Sequence, residues 1–523
     1  MTYKMMKCLL FLTLIVVVAT ESLLSQNIMI ANTGNVNEPS LMMDFKNPHI
    51  LVAGSNLNYR FVSTDTGRTW DRAVMNSTWG VWGDPVIIVD TAGSFYYFHL
   101  SNPSEGSWID RIVCQKSANS GGLWTDGSYM GKNGAKAQDK PWAVVNRKTN
   151  EIYVTWTQFD KYGSANPMDS SIILFSRSAD GGDTWTAPVR INRIAGDCID
   201  DDLTVEGAVP AVGPNGEIYV SWAGPAGLVF NRSLDGGITW LAEEIAVDSM
   251  PGGWNYEIPG IMRANGLPVT ICDTGNSPYR GTIYINWSDQ RNGVSNTDVW
   301  LSKSTDGGQT WSKAVRVNND ATENHQFFTW IAVNQSNGWL YFVFYDRRNY
   351  SSDSTDVYLA ISKDGGVTFQ NVLLSETPFL PNKDIFFGDY TNIVAYNGIV
   401  RPIWTRLNNG QLSLWTDVTP LEELTALKEK KVPTVPYSFE NFPNPSSDYV
   451  YVSYKLYKSA VVNLELINTS GIRVFNMISS EKKDMGRYIE RIDLNSMNCP
   501  PGIYFLRLTI DDQVIMKRQI WVK

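Results

Sequence analysis

Six acidic residues, Glu38, Asp84, Asp139, Glu206, Glu257 and Asp389, each stand at or just before the start of an apolar stretch. Arg291, Arg347, Arg348 and Arg406 close other such stretches, behind Trp287, Tyr345 and Trp404. Carboxyls of this kind can act as general acid and base, and planar guanidinium groups grip a sugar carboxylate or sulfate through paired hydrogen bonds. Tyr256, Tyr345 and Tyr390 lie beside these charges and offer stacking faces and one candidate nucleophile. The catalytic candidates are Glu206, Glu257, Asp139 and Tyr390; the substrate-binding candidates are Arg291, Arg347, Arg348, Arg406 and Asp389. A second reading uses the same residues without chemistry: acids and arginines that pair with one another and hold neighbouring strands. Between the two, crowding decides, because a ring of carboxylates cannot stay charged without arginines, a cation or raised pKa values.

No metal ligand set is assigned. His49, His99 and His325 are the only histidines, too few for a multi-histidine zinc centre. The run Asp197, Asp200, Asp201 and Asp202 has the oxygens for a calcium ion, but it departs from the EF-hand pattern and reads better as a plain acidic loop that needs no ion. No cofactor is expected, calcium being the one possibility. The net charge of −9 has the wrong sign for displacing counterions from a nucleic-acid duplex. With 19 Trp, 24 Tyr, 20 Phe and 41 Gly in 523 residues, and 19% charged residues, the chain suits a turn-rich globular protein with a large core.

The elements that position these residues are announced by a repeat. Ser63, Asp65, Gly67, Thr69 and Trp70 recur at the same internal spacing as Ser178 to Trp185, Ser233 to Trp240, Ser304 to Trp311 and Ser362 to Phe369, with a worn copy from Ser117 to Trp124. Steps of 54, 61, 55, 71 and 58 residues separate the serines, the length of a four-stranded blade with variable loops. Asp and Gly in this pattern form a tight hairpin turn, with the Trp expected against its own blade. These aspartates are therefore turn formers. Seven blade starts precede six repeats, at Glu38, Asp84, Asp139, Glu206, Glu257, His325 and Gly388. The last set has three strand-like runs, and the lone run Ile28 to Ala31 can supply a fourth and close the ring. The expected fold is all-β: a seven-bladed β-propeller, with six blades as the alternative, followed by a small C-terminal β-sandwich. In a meander of this kind the strand-1 starts and strand-2 ends share the face opposite the repeat turns, so the acids and arginines above should meet at one axial mouth.

The repeat resembles the Asp-box, or bacterial neuraminidase repeat, and residues 26–420 resemble the sialidase-like β-propeller superfamily. That resemblance implies an exported glycoside hydrolase of exo-sialidase type, a polysaccharide lyase on the same scaffold, or a non-catalytic glycan-binding or adhesion propeller. True sialidases use three arginines on the substrate carboxylate, a Tyr–Glu nucleophile pair and an Asp acid. Glu206, Arg291, Arg347 and Tyr390 follow the order those enzymes show. The N-terminal Arg-Ile-Pro signature is replaced here by Asn37, Glu38, Pro39 and Ser40.

The ends carry addresses. Residues 1–25 read as a signal peptide, with lysines at 4 and 7, an apolar run from Cys8 to Ala19 and a polar stretch before Gln26. A run of about 12 apolar residues is shorter than the roughly 20 needed to cross a bilayer. Residues 421–436 shift to a short amphipathic run and a Pro-bearing linker. From 437 to 523, Phe442 to Ser446, the alternating strands and the basic end from Lys517 to Lys523 resemble the type A C-terminal sorting domain of the type IX secretion system. This implies partnership with that machinery and a secreted or surface-attached protein of a Gram-negative bacterium. A carbohydrate-binding sandwich is the alternative for this segment. Cys114, Cys198, Cys272 and Cys499 lie too far apart for a CxxC site and could pair or stay free.

Overall fold

The computed structural model describes residues 26–408, 410–426, 439–456, 459–469, 471–493, 500–511 and 513–522. The signal-peptide reading of residues 1–25 and most of the linker reading lie outside these. The chain from Asn27 to Asp417 forms seven four-stranded antiparallel sheets. Their first strands are Ser40–Met43, Val86–Val89, Ala137–Val145, Glu206–Val212, Val269–Cys272, Gln326–Asn334 and Asn392–Tyr396. Each first strand touches the next, and the seventh touches the first, so the sheets stand around one axis. A long apolar stretch makes the second strand of each sheet, as in Ile152–Phe159 and Trp339–Asp346, because that strand is covered on both faces by neighbouring sheets.

The last sheet is built from both ends of this region. Asn27–Ala31 pairs antiparallel with Gln411–Asp417, matching Asn27 to Asp417 and Met29 to Trp415. The Asn27 side chain adds bonds to Leu374 O and Asp417 Oδ2, both at 2.9 Å. A chain lacking residues 26–31 should leave the edge of Gln411–Asp417 open. We expect a lower melting midpoint and soluble aggregates on gel filtration; a monomer with an unchanged midpoint would show the strand to be dispensable.

The repeats sit in the hairpins between third and fourth strands. In the five copies with Asp, its Oδ1 accepts the backbone N–H groups three and four residues on, as Asp306 does from Gln309 and Thr310 at 2.9 and 3.0 Å. In the worn copy Asn119 Oδ1 accepts only one of these two groups, Leu123 N–H, at 2.8 Å. The serine hydroxyl accepts the N–H of the second Gly, 2.9 Å for Ser304 and Gly308, and that Gly has φ near +84°. A Cβ on Gly308 would meet Phe230 of the preceding sheet, so Gly is needed for space as well as for conformation. The expectation that each Trp packs on its own blade is corrected for three copies. Trp185, Trp240 and Trp311 rest edge-on against Phe98, Phe175 and Phe230 of the sheet before, because the hairpin lies across the groove between sheets. The repeat therefore stitches neighbours together.

Glu257 does not begin a sheet. Asn255–Tyr256 and Ala264–Asn265 form a separate two-stranded hairpin, and the fifth sheet starts later, at Val269. Beyond the ring, helix Leu421–Ala426 packs Leu424 into the propeller core. Seven further strands make a three-stranded and a four-stranded sheet that share one core, with Val450, Val452 and Ile492 from the first and Leu464, Leu506 and Trp521 from the second. Cys114, Cys198 and Cys272 are buried and free. Among the described residues no helix is long and apolar enough to cross a membrane.

Candidate functional site at the axial mouth

The side chains at the mouth are aimed there by the backbone. Glu38, Asp84, Lys140, Gly207, Phe328 and Gly388, one near the start of each of six first strands, before it or within its first four residues, have φ between +45° and +97°. In three of these strands the register shifts at that point, between Asp139 and Trp142, Glu206 and Val209, and Phe327 and Trp330. A bulge with a left-handed residue turns the strand start inward and re-aims its side chain. Holding Glu38, Asp84 and Lys140 there is unfavourable for residues with a Cβ, the kind of strain that collects at working sites.

The result is a buried charge cluster. Asp389 sits between two cations: Lys140 Nζ is 3.0 Å from its Oδ2, and Arg263 Nε donates to Oδ1 at 3.0 Å while its NH2 donates to Oδ2. Arg263 also binds Asp200 at 3.0 Å, and Asp200 accepts the Tyr162 hydroxyl at 2.6 Å. Asp389 and Asp200 thus make the close ion pairs with the two cations. The other acids crowd one another: Glu38 stands beside Asp84, and Asp84 beside Asp139, so that, on top of burial, the charge of one raises the pKa of the next. Asn56 bridges the first two, donating to Glu38 and accepting the Asp84 N–H at 2.9 Å.

Burial pushes Glu38, Asp84 and Asp139 up to about 7, with Asp389, Glu38 and Asp84 respectively adding like charge. Asp389 goes the other way: burial opposes its charge, but Lys140 and Arg263 outweigh it and hold the carboxyl far below the usual range. Glu206 is 0% exposed, and neither of its oxygens has a hydrogen-bond partner among the described residues. Burial lifts it well above the ordinary carboxyl range, though Lys140 stands 3.9 Å away. The Tyr390 hydroxyl is likewise buried without a hydrogen-bond partner among the described residues, its ring 5.1 Å from that of Trp142.

These shifts set a pH dependence. Acids raised in the folded state keep protons that the unfolded chain releases between about pH 4 and 7, so stability falls as pH rises through that window and levels off above it. Asp389 contributes in the opposite sense only below about pH 4, where its ion pairs are lost. The melting midpoint should drop from pH 5 to pH 8, and Asp84→Asn should flatten the slope. A midpoint that climbs over that range contradicts the raised acids of the cluster.

The cluster gathers Glu38, Asp84, Asp139, Glu206, Asp389 and Tyr390 of the sequence candidates. It leaves out the rest. Glu257 is exposed on the hairpin before the fifth sheet and meets Gln290 only through its carbonyl, at 3.2 Å. Arg291 is tied to Asp289 at 2.9 Å and Asp248 at 2.9 Å, over the Trp300 ring. Arg348 pairs with Asp346 at 2.8 Å and reaches Asn319 and Asn371. Arg347 is buried against Thr355 Oγ1 at 3.0 Å and Pro259 O at 2.7 Å, and Arg406 meets Thr377 at 3.2 Å over Trp415. All four lie at second-strand ends, a strand's width from the axis, where local acids and carbonyls take them up. Tyr256 and Tyr345 are buried with bonded hydroxyls and offer no stacking face.

Sequence reasoning missed Lys140 and Arg263, and read Asp200 as part of a loop or calcium site where it is the second acid on Arg263. Lys140 follows Asp139 directly, and only the bulge turns it inward. Arg263 comes from the extra hairpin, whose one trace in the sequence is the longest repeat step, 71 residues. The acidic run does not present converging oxygens for calcium. Asp197 accepts Thr204 Oγ1 at 2.7 Å, Asp200 is paired with Arg263, and Asp201 and Asp202 accept Asn255 Nδ2 and N, both at 2.8 Å. Among the described residues no group of three or more His, Cys, Asp or Glu is placed to hold a metal ion.

Residues 440–523 match the family described as the secretion system C-terminal sorting domain, so the chain ends in a type IX export address. No curated protein matches the chain. Among solved structures, the chain is similar to a Hadza microbial sialidase, at 15% identity and TM-score 0.40, over 72% of this chain and 74% of that one. It is also similar to the NanB sialidase of Streptococcus pneumoniae, at 9% identity and TM-score 0.44, over 67% and 70%. A third is an ulvan lyase of a new polysaccharide lyase family, at 12% identity and TM-score 0.47, over 76% and 96%.

Proposed function

We propose that this is an exported seven-bladed propeller that cleaves an acidic polysaccharide, carrying uronate or sulfate groups, at the axial cluster. Glu206 carries the reading: a buried carboxyl with no hydrogen-bond partner, held protonated, is a proton donor waiting for an acceptor. Arg263 supplies the anion grip. Its side chain is 35% exposed above acids that are nearly closed to solvent, and a substrate carboxylate or sulfate can take the place of Asp389 on its guanidinium. That exchange opens the way to Glu206, which then protonates the glycosidic oxygen as the bond breaks. In hydrolysis water adds to the anomeric carbon; in elimination the uronate C5 proton passes to an ionised carboxylate of the cluster and a C4=C5 double bond forms.

A polymer also needs a track. Asp200 leads to Tyr162, and Tyr162 meets Trp108 edge-on at 5.6 Å, with Trp108 45% exposed. Such a ring on the rim suits stacking against a sugar face. The sialidase-type arrangement is not favoured, since Arg291, Arg347 and Arg406 are bound elsewhere and Tyr390 has no Glu partner. A second reading, glycan binding without turnover, is favoured by the burial of Glu38, Asp84, Asp139 and Glu206, each at or below 8% exposure. Incubation of the exported protein with uronate-bearing and sulfated polysaccharides separates the readings. New reducing ends signal hydrolysis and ultraviolet absorbance of an unsaturated uronate signals elimination. Binding with neither product leaves the second reading.

A further inference from the structure

The axis holds a second feature that the charge cluster does not use. Behind Trp142 and Trp330, whose rings meet at 4.4 Å, runs a cavity of about 440 Å³. Its walls are the middle parts of the seven first strands, Val86 to Val89, Val209 to Ala211, Val269 to Ile271 and their equivalents, and no carboxyl of the cluster lines it. Ala143 and Ala332 sit on inner strands yet keep partial exposure, so they face this space. The cavity is mostly apolar, with Ser40, Thr270 and Asn392 among the Val, Ile and Ala of its walls, and opens on the face that carries the repeat turns, at the ends of the first strands.

At that mouth the chemistry changes. Arg147, just past the end of Ala137–Val145, is exposed and lies over the Phe45 ring at 3.8 Å. Among the described residues its guanidinium donates no hydrogen bond, in contrast to Arg291, Arg347 and Arg348. Asp44 is near enough to be felt, but its Oδ1 is engaged by Lys46 N at 2.8 Å. Lys148 beside it is spent on Pro214 O at 2.6 Å. A free planar cation over an apolar shaft is complementary to a single-chain amphiphile with an anionic head.

We propose that the axial cavity binds an anionic single-chain amphiphile, its alkyl chain inside and its carboxylate or sulfate head on Arg147. Four strand residues rise about 13 Å, which accommodates an extended alkyl chain of about ten carbons. Empty apolar space of this size stays poorly hydrated, so filling it is favourable in proportion to the methylenes buried. This site is separate from the axial cluster and stands whether or not the cluster is catalytic.

The test is calorimetric titration of the full chain with decanoate, below its micelle threshold, and with decanol as the uncharged counterpart. Saturable binding of decanoate, tighter than decanol, is expected. Ala332→Phe, which fills the shaft, should abolish binding of both. Arg147→Gln lies on the surface and keeps the fold; it should weaken decanoate about tenfold, the value of one charge-assisted bond, and leave decanol unchanged. No decanoate binding by the unaltered chain overturns the proposal, as does equal binding by Arg147→Gln. Binding that persists in a folded Ala332→Phe places the ligand elsewhere and overturns it too.

Discussion

Glu206→Gln should lower turnover on an acidic polysaccharide by about 100-fold or more while the melting midpoint holds or rises. The size follows from general acid catalysis, where a positioned proton donor contributes about 10²–10⁴-fold. The unaffected stability follows from burial. A carboxyl held protonated without a partner is close in shape and charge to an amide, so glutamine replaces it without uncovering a charge. A variant with full activity removes Glu206 from the reaction. One that melts far lower makes Glu206 a structural residue whose carboxyl the fold requires.

Asp389→Asn should do the opposite, acting on the fold first. Asp389 is 3% exposed and is the direct partner of Lys140 and a twofold acceptor for Arg263. Neutralising it leaves two buried cations with one ion-paired carboxylate, Asp200. Breaking a buried pair in this way costs about 3–5 kcal/mol. The midpoint should fall by roughly 4–6 °C for a cooperative unit of about 390 residues. Lys140 would draw its compensation from Glu206, whose proton would then be released at lower pH. A midpoint within about 1 °C of the parent's would mean that the cluster's ion pairs are solvent-screened and worth what surface pairs are worth.

The contrast between these variants explains which parts of the site were legible in the chain itself. Strand starts were readable because an acid followed by an apolar stretch repeats, although six copies of the turn repeat left six or seven sheets open and the start at Glu257 belongs to the extra hairpin. The convergence of Glu38, Asp84, Asp139, Glu206 and Asp389 is a consequence of that period. The arginines were misplaced for a reason of local geometry: Arg291 and Arg348 each follow an acid by two residues, Asp289 and Asp346, and close onto it before any axial partner can compete. Lys140 was hidden because alternation assigns it to the opposite side from Asp139, and a left-handed residue cancels that alternation. Arg263 was hidden because its hairpin has two-residue strands, too short to show a period. The same limit applies to the back of the axis, where walls of Val, Ile and Ala read as ordinary core until their arrangement around a shaft is seen.

The most direct measurement is a crystal structure of the Glu206→Gln chain soaked with a sulfated or uronate-bearing oligosaccharide. An acidic group of the sugar should lie on Arg263, displacing Asp389, with a glycosidic oxygen within hydrogen-bond reach of residue 206 and the chain running toward Trp108. Sugar bound instead at the rim near Arg291, or on the C-terminal sheets with Arg263 still clasped by Asp389, would contradict the assignment of the axial mouth as the working site.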